Sequence, residues 1–272
     1  MSDLVGAWSG RRAGREAFAR VPVYALFVFV FGLVVGSFTN VVVYRLPRHE
    51  SIAFPPSHCP ECGARLRPLD LIPIASYLAL RGSCRYCGKP IPPRYPLIEL
   101  AVGLLFLLVY LARGAGWGLI PGFGLAALMV AVAAIDLGHQ IIPNALTFIG
   151  VIAGLAFALV GWSDIGFVQA VVGAITCGGF LLMVGLAGRG GMGGGDVKLG
   201  AVMGAFLGWR AGLFGILLGF VAGAVVGLGL MIAGRKGRRD PIPFGPFLAL
   251  GALISHIWGK QAIEAYVRLW MR

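Results

Sequence analysis

Val21-Pro22-Val23-Tyr24-Ala25-Leu26-Phe27-Val28-Phe29-Val30-Phe31-Gly32-Leu33-Val34-Val35-Gly36-Ser37-Phe38-Thr39-Asn40-Val41-Val42-Val43-Tyr44 contains no charged residue. At a 1.5 Å rise per residue, such a run is long enough to cross the ~30 Å hydrocarbon core of a bilayer. A spanning segment must satisfy its own backbone hydrogen bonds, so the run reads as a helix. Its place near the amino terminus would suit a signal peptide. It is too long for one, and no small-residue cleavage site follows it, so it reads as a retained span.

The remainder of the chain has the same character. Of its 272 residues, 58% are hydrophobic and only 12% are charged, and the mean hydropathy is +0.86. The fold expected is an all-α polytopic membrane protein. After a polar, basic tail (1–20, with Arg11, Arg12, Arg15 and Arg20) and the first span (21–44), residues 45–94 form the only sizeable polar segment. Further spans are expected near 95–112, 118–136, 142–161, 166–187, 197–208, 211–233 and 243–259, about eight in all, with 260–272 as a carboxy-terminal tail. The sixth is short, about 18 Å of helix. The 43 glycines fit close helix packing in lipid. The net charge of +12 lies in the connections, where it sets topology and meets anionic lipid; it is no sign of nucleic-acid binding. The larger share of Lys and Arg falls on the side that carries 45–94, which places that segment in the cytoplasm.

Two aspartates then fall at one membrane face. Asp136 closes the third span, in Ile135-Asp136-Leu137-Gly138-His139-Gln140-Ile141-Ile142-Pro143-Asn144. Asp196 opens the sixth, in Gly190-Gly191-Met192-Gly193-Gly194-Gly195-Asp196-Val197-Lys198-Leu199-Gly200. An ionisable residue in such surroundings is costly and marks a functional site. Two carboxyls close together in a poorly hydrated site share one proton, which suits peptide hydrolysis without a covalent intermediate. Gly193, Gly194 and Gly195 would leave room for a substrate backbone beside Asp196. The bland alternative for either Asp alone is a helix cap. Lys198 would point away from Asp196 on a helix, as a snorkelling charge or a ligand for a phosphate or carboxylate. Glu99 enters the second span either paired with a nearby Arg, the expectation we adopt, or as part of the site. Asn40 is expected to hydrogen-bond between helices, His139 to sit in a wet loop and Cys177 to be a small buried residue. Asp3, Asp70, Asp164 and Asp240 lie in connections or at the terminus.

The polar segment carries Cys59-Pro60-Glu61-Cys62-Gly63 and Cys84-Arg85-Tyr86-Cys87-Gly88. Two C-x-x-C knuckles, each followed by Gly, offer four thiolates to one tetrahedral ion, although the gap between them is slightly longer than the usual ribbon spacing. Structural zinc is the expected occupant. Iron in the same tetrahedron, or two disulfides, are the alternatives, and a cytoplasmic location disfavours disulfides.

In this order these residues resemble the type IV prepilin peptidase family over nearly the whole chain. Gly36-Ser37-Phe38-Thr39-Asn40-Val41 with Arg45-Leu46-Pro47, the four cysteines, Asp70-Leu71-Ile72-Pro73, Arg94-Tyr95-Pro96 with Glu99, Asp136 with Ile142-Pro143-Asn144, and Gly193-Gly194-Gly195-Asp196-Val197-Lys198-Leu199 match its motifs, the last being the GxGD pattern. GxGD alone is weak; the ordered set is specific. The resemblance implies Asp136 and Asp196 as the catalytic pair, with Lys198, Glu99 and Asn144 as candidates for supporting roles. It implies a bacterial inner-membrane enzyme that removes the short basic leader of type IV prepilins or pseudopilins at the cytoplasmic face. It further implies N-methylation of the new amino terminus with S-adenosylmethionine. The residues themselves show no methyl-donor site, and no Rossmann-type glycine fingerprint is present. Presenilin-like intramembrane proteases share GxGD, but there the first Asp follows Tyr, where Ile135 stands here. A non-enzymatic scaffold or transporter is the third reading.

Overall fold

The structure, a computed structural model, describes residues 2–188, 192–235, 237, 240 and 242–270, with the side chains of 2–22, 269 and 270 outside that description. Gly190 and Gly191 of the glycine stretch therefore lie outside the described residues, as do the side chains of Arg11, Arg12, Arg15 and Arg20. Helices dominate: α1 (Ser2–Arg45), α2 (Ala75–Ala79), α3 (Arg94–Arg113), α4 (Leu119–His139), α5 (Asn144–Leu159), α6 (Phe167–Ala187), α7 (Gly194–Ile232) and α8 (Gly245–Trp270). Helix α1 thus runs back through the stretch read as a tail. Five of these helices are long and apolar enough to cross a membrane, and α5 is a shorter apolar helix.

The expected sixth and seventh spans are one element, α7, broken at Gly208 (φ 73°, ψ 175°). Only glycine adopts that backbone without strain. The first part starts at Gly194, not at 197, so the aspartate lies inside the first turn of the helix.

Helix α4 is the centre of the bundle. Leu125, Ala126, Met129, Val132 and Ile135 are fully buried, and α1, α3, α5 and α8 pack around them. Outward faces are apolar, as with Leu26 and Phe27 on α1 and Phe148, Ile149 and Ile152 on α5. Lipid gives helices no hydrophobic reason to associate, so small residues and close contact must do it. The α6–α7 contact shows this: a Cβ on Gly204 would fall 2.0 Å from the Gly173 carbonyl oxygen. At the end of the bundle away from Asp136, Trp117 and Trp162 stack at 5.3 Å, the placement expected of interfacial aromatics.

Residues 46–93 fold over the start of α3 as a small irregular unit. Asn40 Nδ2 donates to the Tyr95 carbonyl at 2.9 Å, joining α1 to α3 as expected of an interhelical bond. Arg45, almost fully buried, donates to the Ser51 and Pro55 carbonyls and fixes where the loop leaves α1.

Candidate active site and metal centre

Asp136 lies in the last turn of α4 and is only 5% exposed. Its Oδ2 accepts the Gly245 amide at 2.8 Å. Gly245 opens α8, so the carboxylate sits at a helix amino terminus, where unpaired N–H groups and the positive dipole end face an anion. A side chain cannot be added there: a Cβ on Gly245 would lie 2.8 Å from Asp136 Oδ2. The sequence reading missed Gly245. The available signal was a glycine between prolines, Pro243-Phe244-Gly245-Pro246, at the start of an apolar run.

Asp196 occupies the first turn of α7, also at a helix amino terminus. Its Oδ2 accepts the Gly193 amide at 3.2 Å, so it does act as a cap. That uses one oxygen. Among the described residues, Oδ1 of Asp136 and Oδ1 of Asp196 accept no hydrogen bond, and Asp136 is near enough for its charge to act on Asp196.

The two aspartates are held in register through the start of α5. Lys198 Nζ donates to Asn144 Oδ1 at 2.7 Å. A Cβ on Gly195 would meet Ile142 Cβ at 2.9 Å. Ile142 and Asn144 belong to the turn that leaves α4, so the first turn of α7 is pinned to the segment that follows Asp136. Two sequence expectations change here. Lys198 has a protein partner, Asn144. Gly195 leaves no room for a substrate, because Ile142 fills the space its missing side chain provides. Gly194 does face open space. His139 is exposed but closes α4 rather than sitting in a loop, and Cys177 is fully buried, as expected.

Glu99 differs from expectation too. No cation pairs with it among the described residues. Instead its Oε2 accepts the Ile74 amide at 2.8 Å. Its backbone packs closely on α1: a Cβ on Gly36 would lie 2.7 Å from Glu99 Cα.

The four ligand atoms of Cys59, Cys62, Cys84 and Cys87 all lie within 4.8 Å of one another. Both knuckles repeat one geometry. Gly63 N donates to Cys59 O and Gly88 N to Cys84 O, each at 2.9 Å, with φ of 70° and 71° at the two glycines. The Tyr86 and Cys87 amides bring the Cys84 thiol down to about 7. Cys87 goes the other way, to about 11: the Lys89 amide lowers it, but burial and the neighbouring thiols Cys84, Cys62 and Cys59 outweigh that. Four thiols this close cannot all ionise without a cation between them, and a tetrahedral thiolate ion fits. Asp70 anchors the second knuckle. It accepts Arg85 Nε at 2.7 Å and the Tyr86 hydroxyl at 2.9 Å, and Arg85 above all holds its carboxyl below the usual range.

Residues 30–113 match the bacterial peptidase A24 N-terminal domain, and residues 123–228 match the type IV leader peptidase family. Among similar proteins is a prepilin leader peptidase/N-methyltransferase of Aeromonas hydrophila, 37% identical over 90% of this chain and 94% of that protein. One of Myxococcus xanthus is 45% identical over 80% of this chain and 67% of its own length. One of Bacillus subtilis is 34% identical over 89% and 97%. No solved structure matches. These likenesses favour the prepilin reading over a presenilin-like protease or a transporter.

Proposed function

The chain belongs to the type IV leader peptidase family, and from that premise we propose that it is a multi-pass membrane enzyme with two activities. It removes the short basic leader of type IV prepilins or pseudopilins, then N-methylates the new terminus with S-adenosylmethionine. In this reading the helices make about eight crossings of the bacterial inner membrane, and the dyad and cysteine loop face the cytoplasm.

One observation carries the peptidase step. Asp136 and Asp196, sixty positions apart in the chain, come close enough for the charge of Asp136 to act on Asp196, and among the described residues neither Oδ1 accepts a hydrogen bond. A water held between the two free oxygens loses a proton to the ionised carboxyl and attacks the scissile carbonyl. The protonated carboxyl donates a hydrogen bond to the developing oxyanion and then its proton to the leaving amine. The amides of Gly245 and Gly193 fix the other oxygens, so neither carboxylate must reorganise during the reaction. Gly193 and Gly194 leave the approach to Asp196 open. The four cysteines would hold zinc, which supplies a structural cross-link of the loop; with four thiolates it has no open position for catalysis.

The experiment is cleavage of a prepilin by Asp136→Asn and by Asp196→Asn. Each should lose at least 10²–10⁴-fold in rate, with the protein still inserted and folded. Cleavage at the wild-type rate in either variant would contradict the dyad.

A further inference from the structure

At the end of the bundle away from Asp136 lies a cavity of about 740 Å³, within the range of small-molecule sites. Neither aspartate of the dyad lines it. Its walls come from the last residue of α3, the connection between α5 and α6, the break in α7 and the middle of α8.

Bonds between these elements fix the frame of the cavity. Arg113, which closes α3, is ion-paired with Asp164. Its Nη2 donates to the His256 carbonyl of α8 at 2.7 Å. Ser255 Oγ donates to the Ala211 carbonyl at 2.5 Å, which ties α8 to α7 just past the break at Gly208. Trp209 and Arg210 therefore start a new helical segment at the edge of the cavity, and a helix start presents N–H groups and a positive dipole end.

The charge of the lining is unbalanced. Both of its acids face a cation already, Asp164 with Arg113 and Glu264 with Arg268 at 3.8 Å. Arg210 and Lys260 have no acidic partner among the described residues. Arg210 stands over the Trp209 ring, 5.0 Å from its centroid. Lys260 follows His256 by one turn of α8 and so shares its face. The wall behind these cations holds two nitrogens with no hydrogen-bond partner among the described residues, Arg113 Nε and His256 Nε2. His256 is only 8% exposed. Its ring packs on Gly122 of α4, where a Cβ would lie 2.7 Å from Nε2, so that neighbour has no side chain to offer it. Buried nitrogens left without a partner are rare in a folded protein and call for a further group beside them.

The rest of the lining is apolar, with Pro121, Ile165, Leu207 and Ile263. Such walls suit an amphiphile better than a small hydrophilic anion. The setting is a membrane surface, marked by the stacked Trp117 and Trp162.

We propose that this cavity binds the phosphate headgroup of an anionic phospholipid, held by Arg210 and Lys260, with the apolar part of the lipid against the apolar wall. In the orientation given above, the lipid comes from the outer leaflet. Bound there, it bridges α7 and α8 and stabilises the folded bundle by mass action. The chemistry recognised is a phosphate, and free inorganic phosphate is the other possible source.

The test uses full-length protein in detergent, titrated with phosphatidylglycerol and followed by native mass spectrometry and thermal unfolding. Arg210 and Lys260 are both exposed, so the double variant Arg210→Gln with Lys260→Gln should fold. It should weaken the first-bound phosphatidylglycerol by about 30-fold, from roughly fivefold for each basic residue at an anionic lipid. The rise in melting temperature that the lipid gives the wild type should disappear with it. A control, Arg65→Gln with Arg67→Gln, removes the same charge from exposed positions of the cysteine loop and should bind as the wild type does. Equal losses in the two double variants overturn the proposal, as does equal binding of phosphatidylcholine and phosphatidylglycerol by the wild type. Stabilisation by inorganic phosphate, with no further gain from the lipid, overturns the lipid as the occupant. None of these readouts involves prepilin cleavage, so their failure leaves the reading of the two aspartates where it stands.

Discussion

Gly245→Ala perturbs the proposed peptidase site at a position with no ionisable group. The added Cβ would lie 2.8 Å from Asp136 Oδ2 and 3.2 Å from its Cβ and Cγ. Asp136 is 5% exposed and sits in the closely packed central helix, so neither partner can move away freely. Overpacking of this kind costs about 1–3 kcal/mol. If that cost falls on the carboxylate geometry, it appears in the barrier. At 1.36 kcal/mol per decade it is a loss of roughly 5- to 150-fold in kcat. A displaced carboxylate leaves substrate docking intact, so KM should change little. The assay is initial-rate cleavage of a purified prepilin in nanodiscs, alongside thermal unfolding to confirm the fold. Wild-type kcat in a folded Gly245→Ala protein would refute the argument that α8 positions Asp136.

Three further outcomes follow from the geometry. Lys198→Met and Asn144→Leu each break the 2.7 Å bond that pins α7 to α5; each should slow cleavage by about 3- to 30-fold, in line with a charge-assisted hydrogen bond partly exposed to solvent. The double variant should be no slower than the worse single one, and additive losses would show that the two residues act separately. Cys59→Ser should lower bound zinc as read by elemental analysis and reduce the melting temperature of the loop, whereas full zinc content would count against a four-thiolate site. Asp70 ionises more readily in the folded protein than its ordinary value of 3.8. Its anchoring of Arg85 and Tyr86 is therefore present above about pH 4 and lost as pH falls through the lowered value. The stability gap between wild type and Asp70→Asn should be open at pH 7 and close toward pH 3; a gap unchanged across that range would contradict the ion-pair account.

The legible parts of the fold were those with a physical signature along the chain. Charge-free runs marked the helices, because lipid imposes a length and forbids charge. The paired knuckles marked the four-cysteine cluster, because its geometry is local: Gly63 and Gly88 turn each C-x-x-C by the same backbone path. The expectation that Asp136 and Asp196 fall at one membrane face came from counting spans. What stayed hidden depends on contacts between distant elements. Gly245 reads as one more small residue until α8 is placed against the end of α4. Gly195 reads as open space until Ile142 fills it. Lys198 and Asn144 are 54 positions apart, and nothing local pairs them. Glu99 was expected beside an arginine because Arg94 is near it in sequence. Its partner is the Ile74 backbone amide instead.

The most direct test is the intact mass of a prepilin co-expressed with this protein. The account predicts a product that has lost its leader and carries one added methyl group on the new amino terminus. Asp136→Asn should leave the precursor uncut. A precursor that keeps its leader in the presence of the wild-type protein would contradict the central claim, and a product without the methyl group would contradict its second half.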